Sequence, residues 1–309
     1  MESGRLNSLL HSPVVKTFTL TFCLLVTSFV CGAADTASAA PGTQPFFAFE
    51  NCLKLPPAEI ATMLKESGYD GLSASGYDVA PLLKELHARG LKLYNTYLTP
   101  HFDAATDALT EPLRKLIDDL HGSGAALWIA PMQVTRDGKA FAKSSSDGDE
   151  TALARLREIA DYAEPRGVKI ALYPHAGFWL ERVENGLRLA NQLNRPGVGA
   201  TFNLCHWLKV EGERDPAPVL KAALPRLFFV SINGADAGDT QNQDWNQLIQ
   251  TLDRGSYDVA GFVRTLRSLH YTGPVGLQCY NLKGDPQENL KRSITAWRKI
   301  VGSIPQEAQ

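Results

Sequence analysis

A (β/α)8 barrel in a single domain is the fold this sequence predicts. Eight short apolar runs recur along the chain, helix-like stretches lie between them, and neither a fixed-period repeat nor a long low-complexity linker interrupts the pattern. Parallel strands need a crossover between neighbours, which the helices supply, and eight such units close naturally on themselves. An open doubly wound sheet is the alternative. The missing Gly-x-Gly-x-x-Gly fingerprint weakens its nucleotide-binding version.

Taken in order, the first run is PFFAFE (45–50), and PPAEIATMLKESG after it places proline and glutamate early and glycine late, as a helix does. GLSAS (71–75) and LKLYNTYL (91–98) are the second and third strands. DALTEPLRKLIDDLHGSG then sets acidic residues ahead of an apolar stripe and Gly122 behind it. AALWIAP (125–131) is the fourth strand, with a helix over 149–166. KIALYP (169–174) and GATFNL (199–204) are the fifth and sixth, separated by a helix over 179–194. LFFVSIN (227–233) follows a helix over 216–223, and PVGLQCY (274–280) lies between helices over 257–269 and 287–302.

Ahead of this pattern, residues 1–39 read as a signal peptide. Arg5 and Lys16 give a positive start, TFTLTFCLLVTSFV (17–30) is largely apolar, and Ala37-Ser38-Ala39 is a small-x-small cleavage site. The apolar run falls short of the roughly 20 residues of an ordinary spanning helix. The chain is therefore expected to be exported, periplasmic or secreted, with no stable membrane span after signal cleavage. Residues 40–44 are a short lead-in, 45–302 the barrel and 303–309 a C-terminal tail. Ser28-Phe29-Val30 ahead of Cys31 lacks the small residues expected before a lipidated cysteine.

Cleavage would leave Cys52, Cys205 and Cys279, an odd count that makes no complete disulfide framework. Buried free thiols are the plain reading, with one pair plus one free thiol left open. A formal net charge of -2 supports neither a nucleic-acid footprint nor a polycationic membrane surface.

In such a barrel the residues just after each strand converge on one rim. Those residues are Glu50 and Asn51, Ser75, then Asn95 and Tyr97; Gln133 and His175 follow. The second half adds Asn203, His206 and Trp207, then Asn233 and Asp236, then Gln278, Tyr280 and Lys283. Polar groups at apolar strand ends recognise ligands or close the barrel through structural hydrogen bonds. His175 is the leading proton-transfer candidate, since imidazole exchanges protons near neutral pH; its structural alternative is a hydrogen bond to its own loop. His206, beside Trp207, is set against packing, and Glu50 is the nearest carboxylate. Asp236 stands in a Gly-Ala-Asp-Ala-Gly-Asp run that also reads as a plain polar loop, and Lys283 in a loop suits a substrate oxyanion or solvent. Trp128, Trp179, Trp207, Tyr97 and Tyr280 offer aromatic faces to sugar C–H surfaces or pack the barrel end. With Asn95, Asn203, Asn233 and Gln278 beside them, a carbohydrate or polyol is the expected small-molecule partner. No glycine-rich phosphate loop, nucleophile elbow, His-Glu-x-x-His or Cys-x-x-Cys motif is present.

The order of runs and the stretches ALYPHAGFWLERVENGLRLA, FNLCHWLKVEG, VSINGAD and GPVGLQCYNLKGD resemble the xylose isomerase-like TIM-barrel superfamily, which holds sugar isomerases and epimerases and relatives of the AP endonuclease family 2 barrel. The resemblance implies a divalent metal held by strand-end carboxylates and histidines. Position by position, this chain departs from that pattern. Tyr173 stands at the fifth-strand glutamate, Asn203 at the sixth-strand aspartate, Ser231-Ile232-Asn233 at the seventh-strand histidine region and Gln278 at the terminal glutamate. His175 and His206 remain, so the metal candidates are those two with Glu50 or Asp236, and the metal's identity is open.

The leading expectation is an exported sugar or sugar-derivative isomerase or epimerase, with His175 and Glu50 as acid-base groups and His206 supporting an oxyanion or metal. A non-catalytic carbohydrate-binding barrel and a related lyase or dehydratase stay open beside it. Near-neutral charge and the missing carboxylates oppose a nuclease role.

Overall fold

Continuous apolar runs suit strands buried on both faces, and that is where they fall. A computed structural model describes residues 44–304; the expected signal peptide and the residues after 304 lie outside the described residues. The strands are β1 (Phe46–Phe49), β2 (Gly71–Ser75), β3 (Lys92–Leu98), β4 (Ala126–Ile129), β5 (Lys169–Leu172), β6 (Val198–Asn203), β7 (Leu227–Ile232) and β8 (Val275–Leu277). Each pairs in parallel with the next, and β8 returns to β1 with Phe46 opposite Val275 and Ala48 opposite Leu277. The result is a closed eight-stranded parallel barrel in one domain, ringed by helices.

Alternation along β1 decides what fills it. Phe46 stacks on Trp297 of the last helix at 4.4 Å between ring centroids, while Phe47 stacks on Tyr94 at 4.5 Å. Trp128 packs against Phe47, Phe49, Phe229 and Tyr173, its ring centroid 5.0 Å from that of Tyr173. Aromatic layers thus fill the barrel up to the rim. A bulge in β3 opposite Leu72–Ser73 shifts the register, so that Asn95 and Tyr97 pair with Ser73 and Ser75.

The helices are α1 (Pro57–Ser67), α2 (Ala80–Ala88), α3 (Glu111–Asp119), α4 (Asp149–Ala163), α5 (Val183–Leu193), α6 (Leu204–Glu211), α7 (Ala217–Ala223), α8 (Trp245–Leu248), α9 (Val259–Ser268) and α10 (Pro286–Ser303). Three of these, α2, α6 and α8, add to the helices the sequence predicts, and α10 runs one residue into the expected tail. Gly68 closes α1 at φ 84°, a left-handed cap that glycine adopts without a Cβ clash. A second, three-stranded sheet stands on the rim: His101–Asp103 pairs in parallel with Gln133–Arg136, which turns back antiparallel to Lys139–Ala140. Asp137 and Gly138 make that turn at φ 52° and 72°, both positive as a type I′ hairpin requires. No helix among the described residues is long and apolar enough to cross a membrane.

Candidate active site

A cavity of about 530 Å³ opens at the carboxyl ends of the strands. Its floor and walls come from separate units: Phe49 and Asn51 after β1, Ser73 and Ser75 on β2, Tyr97 on β3, Tyr173 and His175 after β5, His206 in α6, and Gln278 and Tyr280 after β8. Phe178, Trp245 and Ile249 close the sides. None of the lining side chains is an aspartate, glutamate, lysine or arginine.

His175 is held by a tight loop. Its backbone N–H donates to Leu180 O at 2.9 Å and its carbonyl accepts from Phe178 N at 3.0 Å, with Gly177 between them at φ 89°. Trp179 N and Leu180 N in turn donate to Met132 O and Pro131 O, tying the loop to the one after β4. This closure stacks Phe178 on the imidazole at 3.9 Å. His206 sits in the first turn of α6, which starts directly from β6 with Asn203 as its N-cap. The two imidazole centroids are 4.1 Å apart, and Trp245 meets His206 edge-on at 5.5 Å.

Hydrogen bonds give these rings opposite faces. His175 Nδ1 lies 2.9 Å from Ala176 O, and because a carbonyl only accepts, the ring proton is on Nδ1 and Nε2 is left as an acceptor. Ala176 N–H donates to His206 Nδ1 at 3.4 Å, which assigns that ring's proton to Nε2. Burial lowers the His175 pKa to about 4, against opposing contributions from the Ala176 bond and Glu181. Burial, and then the neighbouring His175, holds His206 well below the usual imidazole range. Both rings are neutral at pH 7: one offers a base, the other an acid.

Tyr97 and Tyr173 meet edge to face at 5.0 Å, and burial raises both phenols. The Tyr97 hydroxyl is buried without a protein partner. Gln278 Oε1 accepts from Asn51 Nδ2 at 3.0 Å and from Tyr280 N at 2.9 Å, so Gln278 is fixed in the wall.

Other residues expected at the site stand outside the lining. Glu50 turns aside: its carboxylate accepts from Ser75 N at 2.9 Å, and burial raises its pKa while that bond opposes the shift. Trp128 is enclosed in the barrel beneath Tyr173. Trp179 packs on Gly148, where an added Cβ would meet the indole at 2.9 Å. Trp207 lies between Phe202 and the Arg214 guanidinium and donates to Arg214 O at 3.1 Å. Asn203 is spent on structure: Nδ2 donates to Pro174 O and Thr201 Oγ1, and Oδ1 accepts from Ser231. Asn233 holds Leu248 O at 2.6 Å, and Asn95 accepts from Ser73 Oγ at 2.6 Å one layer beneath the cavity floor. Lys283 is exposed and donates to Asn281, while the Asp236 backbone anchors its loop to Gln247 O. Phe49, Phe178, Trp245 and Ile249, which the sequence reading does not single out, take the places of those aromatics.

The donors present do not suit the divalent cation that the fold family implies. Among the described residues no three His, Cys, Asp or Glu side chains gather at one point. Both histidine Nδ1 atoms are committed to Ala176, and no carboxylate lines the cavity beside the two rings, so no anionic oxygen stands there to offset the metal's charge.

The chain is 24% identical over 250 residues to an L-ribulose 3-epimerase of Methylomonas sp. (strain DH-1), covering 76% of this chain and 82% of that one. It is 26% identical over 137 residues to a 3-dehydroshikimate dehydratase of Pseudomonas putida; that match takes in 43% of this chain, which thus spans 21% of the dehydratase. Among solved structures, the IOLI protein with a bound zinc atom superposes with a TM-score of 0.68 at 15% identity, covering 84% of this chain and 98% of that one, a likeness of fold alone. Residues 58–300 match the xylose isomerase-like TIM barrel family, and the chain belongs to that family.

Proposed function

We propose that the cavity receives a small, uncharged sugar or sugar derivative and that His175 and His206 move a proton next to its carbonyl, as an isomerisation or epimerisation requires. The observation that carries this reading is the pair of neutral imidazoles with opposite tautomers on one wall. His175 Nε2 takes the proton from carbon, and His206 Nε2–H donates to the substrate oxygen as negative charge builds there. That charge offsets the burial that keeps the His175 pKa low, so the base strengthens as the transition state is approached. Phe49, Tyr97 and Trp245 supply apolar faces for sugar C–H groups, and Asn51 and Ser75 supply hydrogen bonds. The uncharged lining disfavours phosphorylated sugars and sugar acids, whose charge would be buried without a partner. Glu50, bound at Ser75, has no part in this scheme.

The relationship to an L-ribulose 3-epimerase supports the reaction class. The dehydratase relative keeps elimination in view, because the same abstraction that reprotonates in an epimerase expels water in a dehydratase. A second reading, sugar binding without turnover, is favoured by the lack of any carboxylate in the lining. Incubation with a neutral carbohydrate panel in deuterated buffer, followed by chromatography and mass analysis, separates the three. Deuterium at the carbon next to the carbonyl with conserved mass otherwise supports the proposal, loss of one water supports the dehydratase, and saturable binding with no exchange supports the binding barrel. The expected export directed by residues 1–39 is part of the proposal, and fractionation of cells expressing the full chain tests it.

A further inference from the structure

We propose that Cys52 and Cys279 form a disulfide that staples the rim of the first β/α unit to that of the last. Their sulfurs are 2.6 Å apart, closer than unbonded sulfurs pack and about half an ångström beyond a disulfide bond. The approach follows from topology. Ala48 of β1 pairs with Leu277 of β8, Cys52 ends the turn that leaves β1, and Cys279 stands two residues beyond β8. Both thiols meet the same carbonyl, Phe49 O, at 3.8 and 3.1 Å. The remaining cysteine among the described residues, Cys205, is buried in α6, two residues after Asn203 at the end of β6.

Cys52 is partly exposed and Cys279 fully enclosed, so an oxidant reaches Cys52 first. The oxidant belongs to the disulfide class, either oxidised glutathione or a thiol–disulfide oxidoreductase. The Cys52 thiolate attacks its disulfide, one oxidant thiolate leaves, and a mixed disulfide remains on Cys52. Cys279, once deprotonated, attacks Cys52 Sγ and expels the second oxidant thiolate. Two protein thiols have then lost two protons and two electrons, and the oxidant's disulfide has become two thiols. The bond lies next to the cavity wall, since Asn51 and Gln278, the neighbours of the two cysteines, are joined to each other at 3.0 Å. Oxidation therefore locks that wall.

The test uses the full chain, equilibrated with oxidised or with reduced glutathione, denatured, alkylated and mapped by peptide mass. The expected result after oxidation is a linked Cys52–Cys279 peptide pair about 2 Da lighter than the two free peptides, with roughly tenfold less alkylation at both positions while Cys205 still reacts. Reduction lowers Tm by several degrees, and Cys52→Ser and Cys279→Ser each lower it by the same amount, without adding in the double variant. Full alkylation of Cys52 and Cys279 after oxidation of folded protein overturns the proposal, as does a linkage through Cys205 or between chains. Mapping of the wild type decides the matter even where a serine variant does not fold.

Discussion

Acid should weaken this barrel through His175, and replacing that one residue should remove a measurable part of the effect. The His175 pKa is held at about 4 in the folded protein, against 6.5 for a free histidine. Above pH 6.5 the ring is neutral in both states and adds no pH dependence. Between 6.5 and 4 the unfolded chain takes up a proton that the folded chain refuses, so stability falls with pH; below about 4 both states are protonated and the loss levels out. At pH 5 the window has been crossed by about 1.5 units, which at ~1.4 kcal/mol per unit amounts to about 2 kcal/mol. His206, also depressed by burial, acts in the same direction. Urea unfolding followed by circular dichroism at pH 7.5 and pH 5 gives the change in stability for wild type and for His175→Gln, and carboxylate titration cancels between them. The variant should lose about 2 kcal/mol less than wild type over that interval. Curves that run parallel would show that water reaches the ring freely in the folded state, and would refute both the enclosure of His175 and its neutrality as the source of a base.

Trp128→Ala should cost about 3–5 kcal/mol in urea unfolding, since the indole is fully enclosed by Phe47, Phe49, Tyr173 and Phe229. Tyr97→Phe removes a buried hydroxyl that has no protein partner and should change stability by less than about 1 kcal/mol in urea unfolding. Arg188 holds the enclosed Asp149 carboxylate through two bonds of 2.7 and 2.8 Å, with Gln192 Nε2 at 3.2 Å, so Asp149→Ala should cost about 2–3 kcal/mol and leave the cavity intact. Treatment with a chelator should leave Tm and deuterium exchange into sugar unchanged, because the cavity wall lacks an anionic donor set; loss of exchange restored by one added ion would refute that reading.

The strands were legible because most of their residues are buried on both sides and leave short, mainly apolar runs in the sequence, with β2 and β3 the least continuous. Shorter elements left weaker marks. Helix α2 buries only Leu82 and Leu86 and has Val79, no side-chain cap, before it. Helix α6 follows β6 with no turn residue between, so Leu204 reads as a continuation of the strand. The Asp137-Gly138 pair is a recognised hairpin signal, and it could have revealed the small rim sheet. At the site, His175, His206, Tyr97, Gln278 and Tyr280 were readable from their places at strand ends, and all line the cavity. Depth within the barrel was not readable: Trp128 and Tyr97 are both strand aromatics, yet one is sealed beneath Tyr173 while the other reaches the cavity. Phe178 comes from the loop after β5, and Trp245 and Ile249 from the short helix α8 and its C-cap, whose placement depends on contacts such as Trp179 N to Met132 O and Gln250 N to Gly234 O, which no local periodicity encodes.

The seam between β1 and β8 also governs how the protein can come into being. Phe46, Phe47 and Ala48 find their partners in Val275, Gly276 and Leu277, more than two hundred residues downstream. A nascent chain emerging from the ribosome therefore carries an open strand edge and a set of uncovered phenylalanines for nearly the whole of its synthesis. Such an edge is a template for pairing with other chains, and contacts of this sequence separation are the slowest to form. Closure has to wait for the last strand, so a holding chaperone that masks Phe46–Phe49 until translation ends would protect the yield of folded protein without contributing anything to its final stability.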